Sequence, residues 1–158
     1  MTPTPPFGTN APENSTPAPG WQGWTGEGCV LVIDDDDAIR AVLARALTKL
    51  GFTTAVAPEG ESALSIFGAD PERFSLVLLD YKLPGMDSKD VFHAIHQRRG
   101  ELPVVLMSGY HKEEAVKNSS GMELAGFIHK PFTMDVLANE LRSVLSSASS
   151  VEKEAKAG

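Results

Sequence analysis

Short apolar runs alternate along the chain with segments whose apolar residues follow helical spacing. Continuous runs cover residues 29–33, 76–79 and 104–107, and weaker runs cover residues 52–56 and 126–129. Runs of this length and continuity are typical of strands that are buried on both faces of a parallel sheet. The pattern therefore predicts five short strands.

Helical spacing predicts a helix after each of these runs. In the first helix, Asp36 or Asp37 is placed to cap the start, and Gly51 is placed to end it. The apolar positions of this helix form one stripe, which is expected to face inward: Ile39, Val42, Leu43, Ala46, Leu47 and Leu50.

The later helices are predicted with unequal strength. The second covers residues 59–67, the third carries apolar residues at 91, 92 and 95, and the fifth follows a capping Thr133. The fourth, over residues 112–124, has the poorest pattern because a polar stretch with a glycine interrupts it.

The predicted order is thus a strand and a helix, repeated five times. Strands that alternate with helices are connected by right-handed crossovers and form a parallel sheet with helices on both faces. Ligand sites in such sheets lie beyond the carboxyl ends of the strands. The residues that follow each strand are therefore the candidate site residues.

Composition fits one globular domain with tails. The 158 residues are 42% apolar and 22% charged, and 14 basic against 21 acidic residues give a net charge of −7. Without clustered Lys and Arg, no nucleic-acid binding is predicted. No apolar run approaches the roughly 20 residues that span a bilayer, and no signal peptide is evident. The prediction is therefore a cytoplasmic protein without membrane association.

The Pro-rich residues 1–28 are predicted to form a flexible tail, residues 29–147 the domain, and residues 148–158 a fraying, at most weakly helical tail. Trp21 and Trp24 either pack back on the domain, contact something upstream or belong to a partly ordered linker. Cys29 is the single cysteine, which excludes an internal disulfide and fits a small buried residue.

Reactive side chains follow four of the predicted strands. Four consecutive aspartates, residues 34–37, follow the first strand, and Asp80 ends the third. Ser108 ends the fourth strand, and Lys130 follows the fifth. Because these strand ends meet at one edge of a parallel sheet, we expect the carboxylates, the hydroxyl and the ammonium to converge there.

A cluster of carboxylates repels itself, and a hard divalent cation relieves that repulsion. Mg²⁺ prefers oxygen ligands and binds through one or two carboxylates together with phosphate oxygens and water. A carboxylate such as that of Asp80 can also form an acyl phosphate. The strand ends therefore predict a Mg²⁺ (or Mn²⁺) site that supports phosphoryl transfer.

From about residue 28 to residue 147, the chain resembles the response-regulator receiver domain. Four strings carry the resemblance, in the family's order and at family-like spacing: VLVIDDDDAIR from residue 30, LVLLDYKLPGMD from 76, PVVLMSGY from 103 and GFIHKPF from 126. The resemblance implies a flavodoxin-like three-layer sandwich of five parallel strands in the order 2-1-3-4-5.

The resemblance also assigns the metal ligands and the acceptor. Arg40 fixes the register of the first string, so Asp34 and Asp35 match the family's acidic pair. Asp35 is expected to bind the metal directly and Asp34 through a water molecule. Asp80 matches the phosphoacceptor and also binds the metal, and Lys82 is expected to lend its backbone carbonyl.

Four further residues match family positions that contact or sense the phosphoryl group. Ser108 matches the switch hydroxyl, and the backbone N–H of Gly109 is expected to contact a phosphoryl oxygen. Lys130 matches the phosphate-binding lysine, and in similar domains its bond to Pro131 is cis. Phe127 takes the position of the switch aromatic residue.

The implied function is that of a phosphoacceptor in a two-component phosphorelay. Such a domain catalyses only its own phosphorylation and dephosphorylation, so no enzyme acting on a separate substrate is predicted. The donor is a sensor histidine kinase or a histidine phosphotransfer protein. The output is a changed face, made by the fourth predicted helix, the fifth strand and the fifth predicted helix, that binds a downstream protein. Either a monomer or a phosphorylation-dependent dimer fits.

Two arrangements stay open, a stand-alone receiver and a receiver excised from a hybrid histidine kinase, whose receiver subtype the chain resembles. An aspartate-nucleophile phosphohydrolase is the enzymatic alternative, but such enzymes usually place a second Asp where this chain has Lys82. A flavin-binding module would need a hydroxyl-rich loop in place of the four aspartates. A receiver-like module that is never phosphorylated is the third alternative, and the complete acid set disfavours it.

Overall fold

The computed structural model describes residues 25–109, 117 and 122–157, with side chains as far as residue 146. Its centre is one five-stranded sheet in the order β2-β1-β3-β4-β5, with every neighbouring pair parallel. The predicted α/β fold and its strand order are confirmed. The strands are β1 Cys29–Ile33, β2 Thr53–Ala57, β3 Phe74–Asp80, β4 Val104–Ser108 and β5 Gly126–His129.

Helices cover both faces of the sheet. Their bounds are α1 Asp37–Lys49, α2 Gly60–Ala69, α3 Ser88–Arg98 and α4 Met134–Ala157. The fifth helix predicted from the sequence is thus α4, because the segment predicted as the fourth lies largely outside the described residues. Among the helices that the structure describes, none is long and apolar enough to cross a membrane.

Alternate residues of the central strands enter two separate hydrophobic cores. Val30 and Val32 pack with α1 and α4, whereas Leu31 and Ile33 pack with α2 and α3. All four side chains are completely buried. Both faces of β1 are covered in this way. The acidic residues therefore begin only after the strand ends, at Asp34.

The start of α1 is fixed by the cap that the sequence predicts. Asp36 has extended backbone angles, and its side chain accepts hydrogen bonds from the N–H groups of Ala38 at 2.9 Å and Ile39 at 3.3 Å. These bonds satisfy two of the N–H groups that every helix start leaves without a partner. The helix therefore begins directly beside the acidic run.

The end of α1 depends on Gly51, whose φ of 102° is strained for any other residue. The N–H of Gly51 donates to the carbonyl of Thr48 at 3.0 Å, and the N–H of Phe52 donates to that of Leu47 at 3.0 Å. This pair of bonds is the Schellman motif, and Leu47 and Phe52 supply its apolar contact. The chain is thereby turned directly into β2.

One position in the predicted stripe of α1 is wrong. Val42 is 52% exposed, whereas Leu43 and Leu47 are fully buried. The buried residues define one line along the helix, and Val42 lies about a quarter turn away from it, at about 100° per residue. The predicted stripe, which includes Val42, is therefore slightly wider than the part of α1 that the sheet covers.

The structure also describes chain on both sides of the predicted domain, residues 29–147. The N–H of Gly26 donates to the carbonyl of Leu50 at 2.7 Å, so the chain contacts the domain before residue 29. At the other end, α4 continues through residues 148–157, where Ala, Glu and Lys favour helix. Trp21 and Trp24 lie outside the described residues.

Candidate functional site

The carboxyl ends of four strands meet at one edge of the sheet. The pairing register places Asp34 level with Asp80, Ser108 one residue further along and Lys130 one beyond that. The backbone N–H of Lys130 donates to the carbonyl of Ser108 at 2.7 Å, which extends the ladder past the end of β5. These side chains are therefore brought together by backbone pairing, as the sequence predicts.

Asp34 lies at the bottom of the site and is completely buried. One carboxylate oxygen accepts a hydrogen bond from the N–H of Asp36 at 2.9 Å. The other lies 2.6 Å from the ammonium nitrogen of Lys130. A buried charge requires such partners, because an unpaired carboxylate in the interior is strongly unfavourable.

Asp80 lies beside the same ammonium group. Its Oδ1 is 3.1 Å from Nζ of Lys130, and the residue is 6% exposed. Burial, followed by the charge of Asp34, raises the pKa of Asp80 from 3.8 to about 6, although Lys130 acts in the opposite direction. The carboxylate is therefore less readily ionised than that of an ordinary aspartate when no cation is bound.

Lys130 is the cation that these two carboxylates share. Burial alone would lower its pKa, but the hydrogen bonds and charges of Asp34 and Asp80 outweigh burial, so the pKa of Lys130 is raised. The bond between Lys130 and Pro131 is cis. The ammonium group is therefore fully charged at neutral pH.

Asp35 completes an oxygen-rich cluster. Unlike Asp34, it is exposed, and carboxylate oxygens of Asp34, Asp35 and Asp80 all lie within 4.8 Å of one another. In the described ion pairs, the three carboxylates have one ammonium group, that of Lys130, so the cluster carries excess negative charge. Hard oxygen donors at this spacing, open to water on the side of Asp35, fit Mg²⁺ or Mn²⁺.

A cleft of about 280 Å³ opens above the carboxylates, and Asp80, Ser108 and Lys130 contribute to its lining together with Asp35, Tyr81, Lys82 and Gly109. Ser108 is almost fully buried, whereas a side chain added at Gly109 would meet no atom of the described residues within 4 Å. A larger groove of about 630 Å³ runs between α1 and the start of α4, but its lining is mainly apolar and contains none of the predicted site residues.

Phe127 lies apart from the charged cluster. It is on the edge strand β5, is half-buried and packs against the core shared with α2 and α3. Its backbone N–H donates to a carboxylate oxygen of Glu140 on α4 at 3.1 Å. The structure therefore places Phe127 next to the site through β5 rather than within the cleft.

The part of the chain that carries this site is similar in sequence to known proteins. The family described as response regulator receiver domain matches residues 30–142. The chain belongs to this family. Receiver domains are signalling modules of two-component systems that bind Mg²⁺ at an acidic pocket, and this receiver domain has a cluster of three aspartates.

Individual relatives show how much of each protein the receiver domain represents. It is 30% identical over 116 residues to sporulation initiation phosphotransferase F of Bacillus subtilis, which covers 73% of this chain and 92% of that protein. It is 28% identical over 121 residues to the sensor kinase CckA of Brucella abortus, which covers 77% of this chain but 13% of that protein.

A solved structure also matches this chain over one part of a longer protein. The crystal structure of NtrX from Brucella abortus in complex with ADP superimposes with a TM-score of 0.75 at 29% identity, over 83% of this chain and 30% of that chain. The receiver domain thus corresponds to nearly the whole of the phosphotransferase, and to one part of the two longer proteins.

Two polar contacts around this receiver site were not predicted from the sequence. The buried hydroxyl of Ser88 donates to the carbonyl of Tyr81 at 2.9 Å and ties the start of α3 to the end of β3. Glu140, which holds the N–H of Phe127, is the second. Serine in a first helical turn signals a backbone contact, whereas a carboxylate on a distant helix gives no local signal.

Proposed function

We propose that Asp80 accepts a phosphoryl group in a reaction that depends on Mg²⁺ or Mn²⁺. The donor is a phosphohistidine on a sensor histidine kinase or on a histidine phosphotransfer protein. The observation that carries the proposal is the position of the Asp80 carboxylate, which opens into a cleft beside Asp35 with Nζ of Lys130 at 3.1 Å.

In the proposed reaction, a carboxylate oxygen of Asp80 forms a bond to phosphorus while the bond from phosphorus to the donor's imidazole nitrogen breaks. The imidazole leaves with the electron pair of that bond and then takes a proton from water. No oxidant, reductant or further reactant is needed. The chain supplies the nucleophile and its surroundings, as phosphoryl transfer requires.

Asp35 and Asp80 are the proposed direct metal ligands, with Asp34 acting through water and Lys82 through its backbone carbonyl. When bound, the cation offsets the mutual repulsion of the carboxylates and the charge on the phosphoryl oxygens. Since the pKa of Asp80 is about 6 without a cation, most Asp80 side chains are ionised at neutral pH. The nucleophile therefore needs no general base.

Three groups would hold the phosphoryl oxygens. Lys130 is charged and lies beside Asp80, so it is placed to pair with a phosphoryl oxygen. The hydroxyl of Ser108 and the backbone N–H of Gly109 are proposed as hydrogen-bond donors, and both residues line the same cleft. Donors fixed in advance stabilise the transferring group without reorganising during the reaction.

The proposed output runs through β5. Ser108 would move toward the new phosphoryl oxygens, and Phe127 would turn into the space that Ser108 vacates. The carboxylate of Glu140 on α4 accepts a hydrogen bond from the N–H of Phe127. This movement would therefore also affect α4. The altered face of β5 and α4 is then the proposed binding surface for a downstream protein or for a second copy of the chain.

The receiver unit is proposed to span residues 29–147, with the remainder as flanking segments. The similarity to a short phosphotransferase over 92% of its length supports a stand-alone module, and the similarity to a sensor kinase supports a fragment of a hybrid kinase. In both arrangements the proposed chemistry at Asp80 is the same.

The direct test is incubation with acetyl phosphate and Mg²⁺, followed by intact-protein mass spectrometry. The wild-type protein is expected to gain the mass of one phosphoryl group, and a chelator is expected to prevent the gain. Asp80→Asn should remain unlabelled, while Asp90→Asn, which changes an exposed carboxylate on α3, should label like the wild type. Equal labelling of Asp80→Asn would refute the proposal.

A further inference from the structure

Arg40 makes a contact that its place on the helix does not explain. It lies in the first turn of α1, where the helix dipole disfavours a cation. Nevertheless, its side chain is only 16% exposed, because it folds back over the cap toward the end of β1. There its Nη1 donates to the backbone carbonyl of Asp34 at 2.6 Å.

This hydrogen bond fixes the peptide group that joins Asp34 to Asp35. On one side of Asp34, its N–H donates to the carbonyl of Ala57 on β2 at 3.1 Å. On the other side, Arg40 holds the carbonyl oxygen. Because the peptide group is planar, the direction of the Asp34 carbonyl also sets the direction of the Asp35 N–H and limits the backbone of Asp35.

Asp34 and Asp35 differ in what holds their side chains. The Asp34 carboxylate is held by the N–H of Asp36 and by Lys130, so its direction is fixed without help from Arg40. The Asp35 carboxylate is exposed, and its backbone sets the direction in which the side chain leaves the chain. A change at Arg40 should therefore disturb Asp35 more than Asp34.

We infer that Arg40 is a positioning residue that aims the Asp35 carboxylate at the cation by holding the Asp34 carbonyl. The inference rests on the proposed metal site. The guanidinium group suits the task because its second nitrogen, Nη2, pairs with Asp37 while Nη1 holds the carbonyl. Lysine has a single nitrogen and cannot match that fork, so it should replace arginine only in part.

The test is calorimetric titration of the metal-free protein with Mn²⁺ alone. Residues that orient metal ligands typically change affinity by about 10–100-fold when they are lost. Arg40→Met should therefore raise the Kd for Mn²⁺ by about tenfold or more, and Arg40→Lys should fall between it and the wild type. Arg45→Met is the matched control, because Arg45 is an exposed arginine on the same helix.

Asp37→Asn separates the hydrogen bond from long-range charge. It removes the negative charge of the group that pairs with Nη2, while its amide oxygen can still accept that hydrogen bond, and it leaves the bond from Nη1 to the carbonyl. The Kd for Mn²⁺ should therefore stay within about twofold of the wild type. A weakening equal to that of Arg40→Met would overturn the inference. So would an unchanged Kd in Arg40→Met while the wild-type protein binds Mn²⁺.

A second readout distinguishes positioning from general damage. At saturating Mg²⁺, the rate of labelling of Arg40→Met by acetyl phosphate should return close to that of the wild type, while half-saturation shifts to higher Mg²⁺. A lowered rate that no Mg²⁺ concentration restores would contradict the inference. Absence of Mn²⁺ binding by the wild type would instead refute the proposed metal site itself.

Discussion

At the scale of single residues, the site consists of opposite charges whose electrostatic interactions are strengthened by burial. Asp34 and Asp80 are both buried and share the ammonium group of Lys130. One cation for two buried carboxylates leaves the metal-free protein with uncompensated negative charge. This excess is what makes the pocket attractive to a divalent cation, and it also has a cost in stability.

That cost predicts the effect of neutralising Asp80. Its pKa is 3.8 in a model compound and about 6 in the folded protein, so the folded state holds the proton more tightly than the unfolded chain. Stability therefore falls as the pH rises from about 4 to about 6, and the loss is complete above pH 6. A shift of this size corresponds to at most about 3 kcal/mol.

Asp80→Asn is therefore expected to raise the free energy of unfolding of the metal-free protein by about 1–3 kcal/mol at pH 8, with little gain at pH 4. Urea denaturation in the presence of a chelator measures both values. Asp35→Asn, which removes an exposed carboxylate of the same cluster, should raise the free energy of unfolding by less. A destabilised Asp80→Asn protein at pH 8 would contradict the account.

Removing the shared cation should have the opposite effect. Lys130→Met leaves the completely buried carboxylate of Asp34 without its partner at 2.6 Å. Loss of one partner of a buried ion pair typically costs about 3–5 kcal/mol, so a loss of about 3 kcal/mol is expected. The double variant Lys130→Met/Asp34→Asn should recover part of this loss, because the completely buried residue 34 is then neutral and only the Asp80 carboxylate still lacks the ammonium group.

Thermal or urea unfolding of the three proteins provides the measurement. Lys49→Met, at an exposed lysine in the last turn of α1, should change stability by less than about 1 kcal/mol and serves as the control. If Lys130→Met proves as stable as Lys49→Met, the shared ammonium group does not hold the site together.

At the scale of helices and strands, the ends of α1 position the acidic run. The cap at Asp36 starts the helix immediately after the proposed metal ligands, Asp34 and Asp35, and Gly51 turns the chain into β2. Both features were predicted because capping residues leave a local signal in the sequence. The exposure of Val42 was not predicted, because the width of the buried stripe depends on how much of α1 the sheet and α4 cover.

Three glycines allow backbone strain to be separated from steric clash. Gly51 has a positive φ, and an added side chain would lie 2.7 Å from the carbonyl oxygen of Gly26. Gly85 also has a positive φ, but no atom in the described part of the chain lies within 4 Å of an added side chain, and Gly100 has neither a positive φ nor a close contact there. Gly51→Ala should therefore be the most destabilising of the three alanine substitutions, by about 1–2 kcal/mol or more.

Gly85→Ala should cost about 1 kcal/mol from strain alone, and Gly100→Ala should lie within about 0.5 kcal/mol of the wild type. The free energies of unfolding from urea titrations give the order directly. Equal stability of the Gly51→Ala and Gly100→Ala proteins would show that the turn after α1 tolerates a side chain.

At the scale of the whole molecule, the fold brings together residues that are far apart in the sequence. The hydrogen bond from Lys130 to Asp34 spans 96 positions, and the bond to Asp80 spans 50. The sequence predicted this convergence because apolar runs indicate parallel strands, and parallel strands end at one edge. The meeting of these strand ends is therefore predictable from the sequence alone.

Other contacts could not be predicted, and the reason is physical. The hold of Glu140 on Phe127 and that of Arg40 on the Asp34 carbonyl depend on how a helix lies over the sheet to within a few ångströms. Hydrophobic periodicity indicates which face of a helix is buried, but it does not indicate where a long polar side chain on the rim will reach.

The central claim is that a single carboxylate, that of Asp80, becomes the acyl phosphate. Borohydride reduces an acyl phosphate to an alcohol and so converts a phosphorylated aspartate to homoserine. After treatment with acetyl phosphate and Mg²⁺, followed by reduction, peptide mass spectrometry should find homoserine at position 80. Homoserine at any other aspartate, with position 80 unchanged, would contradict the account.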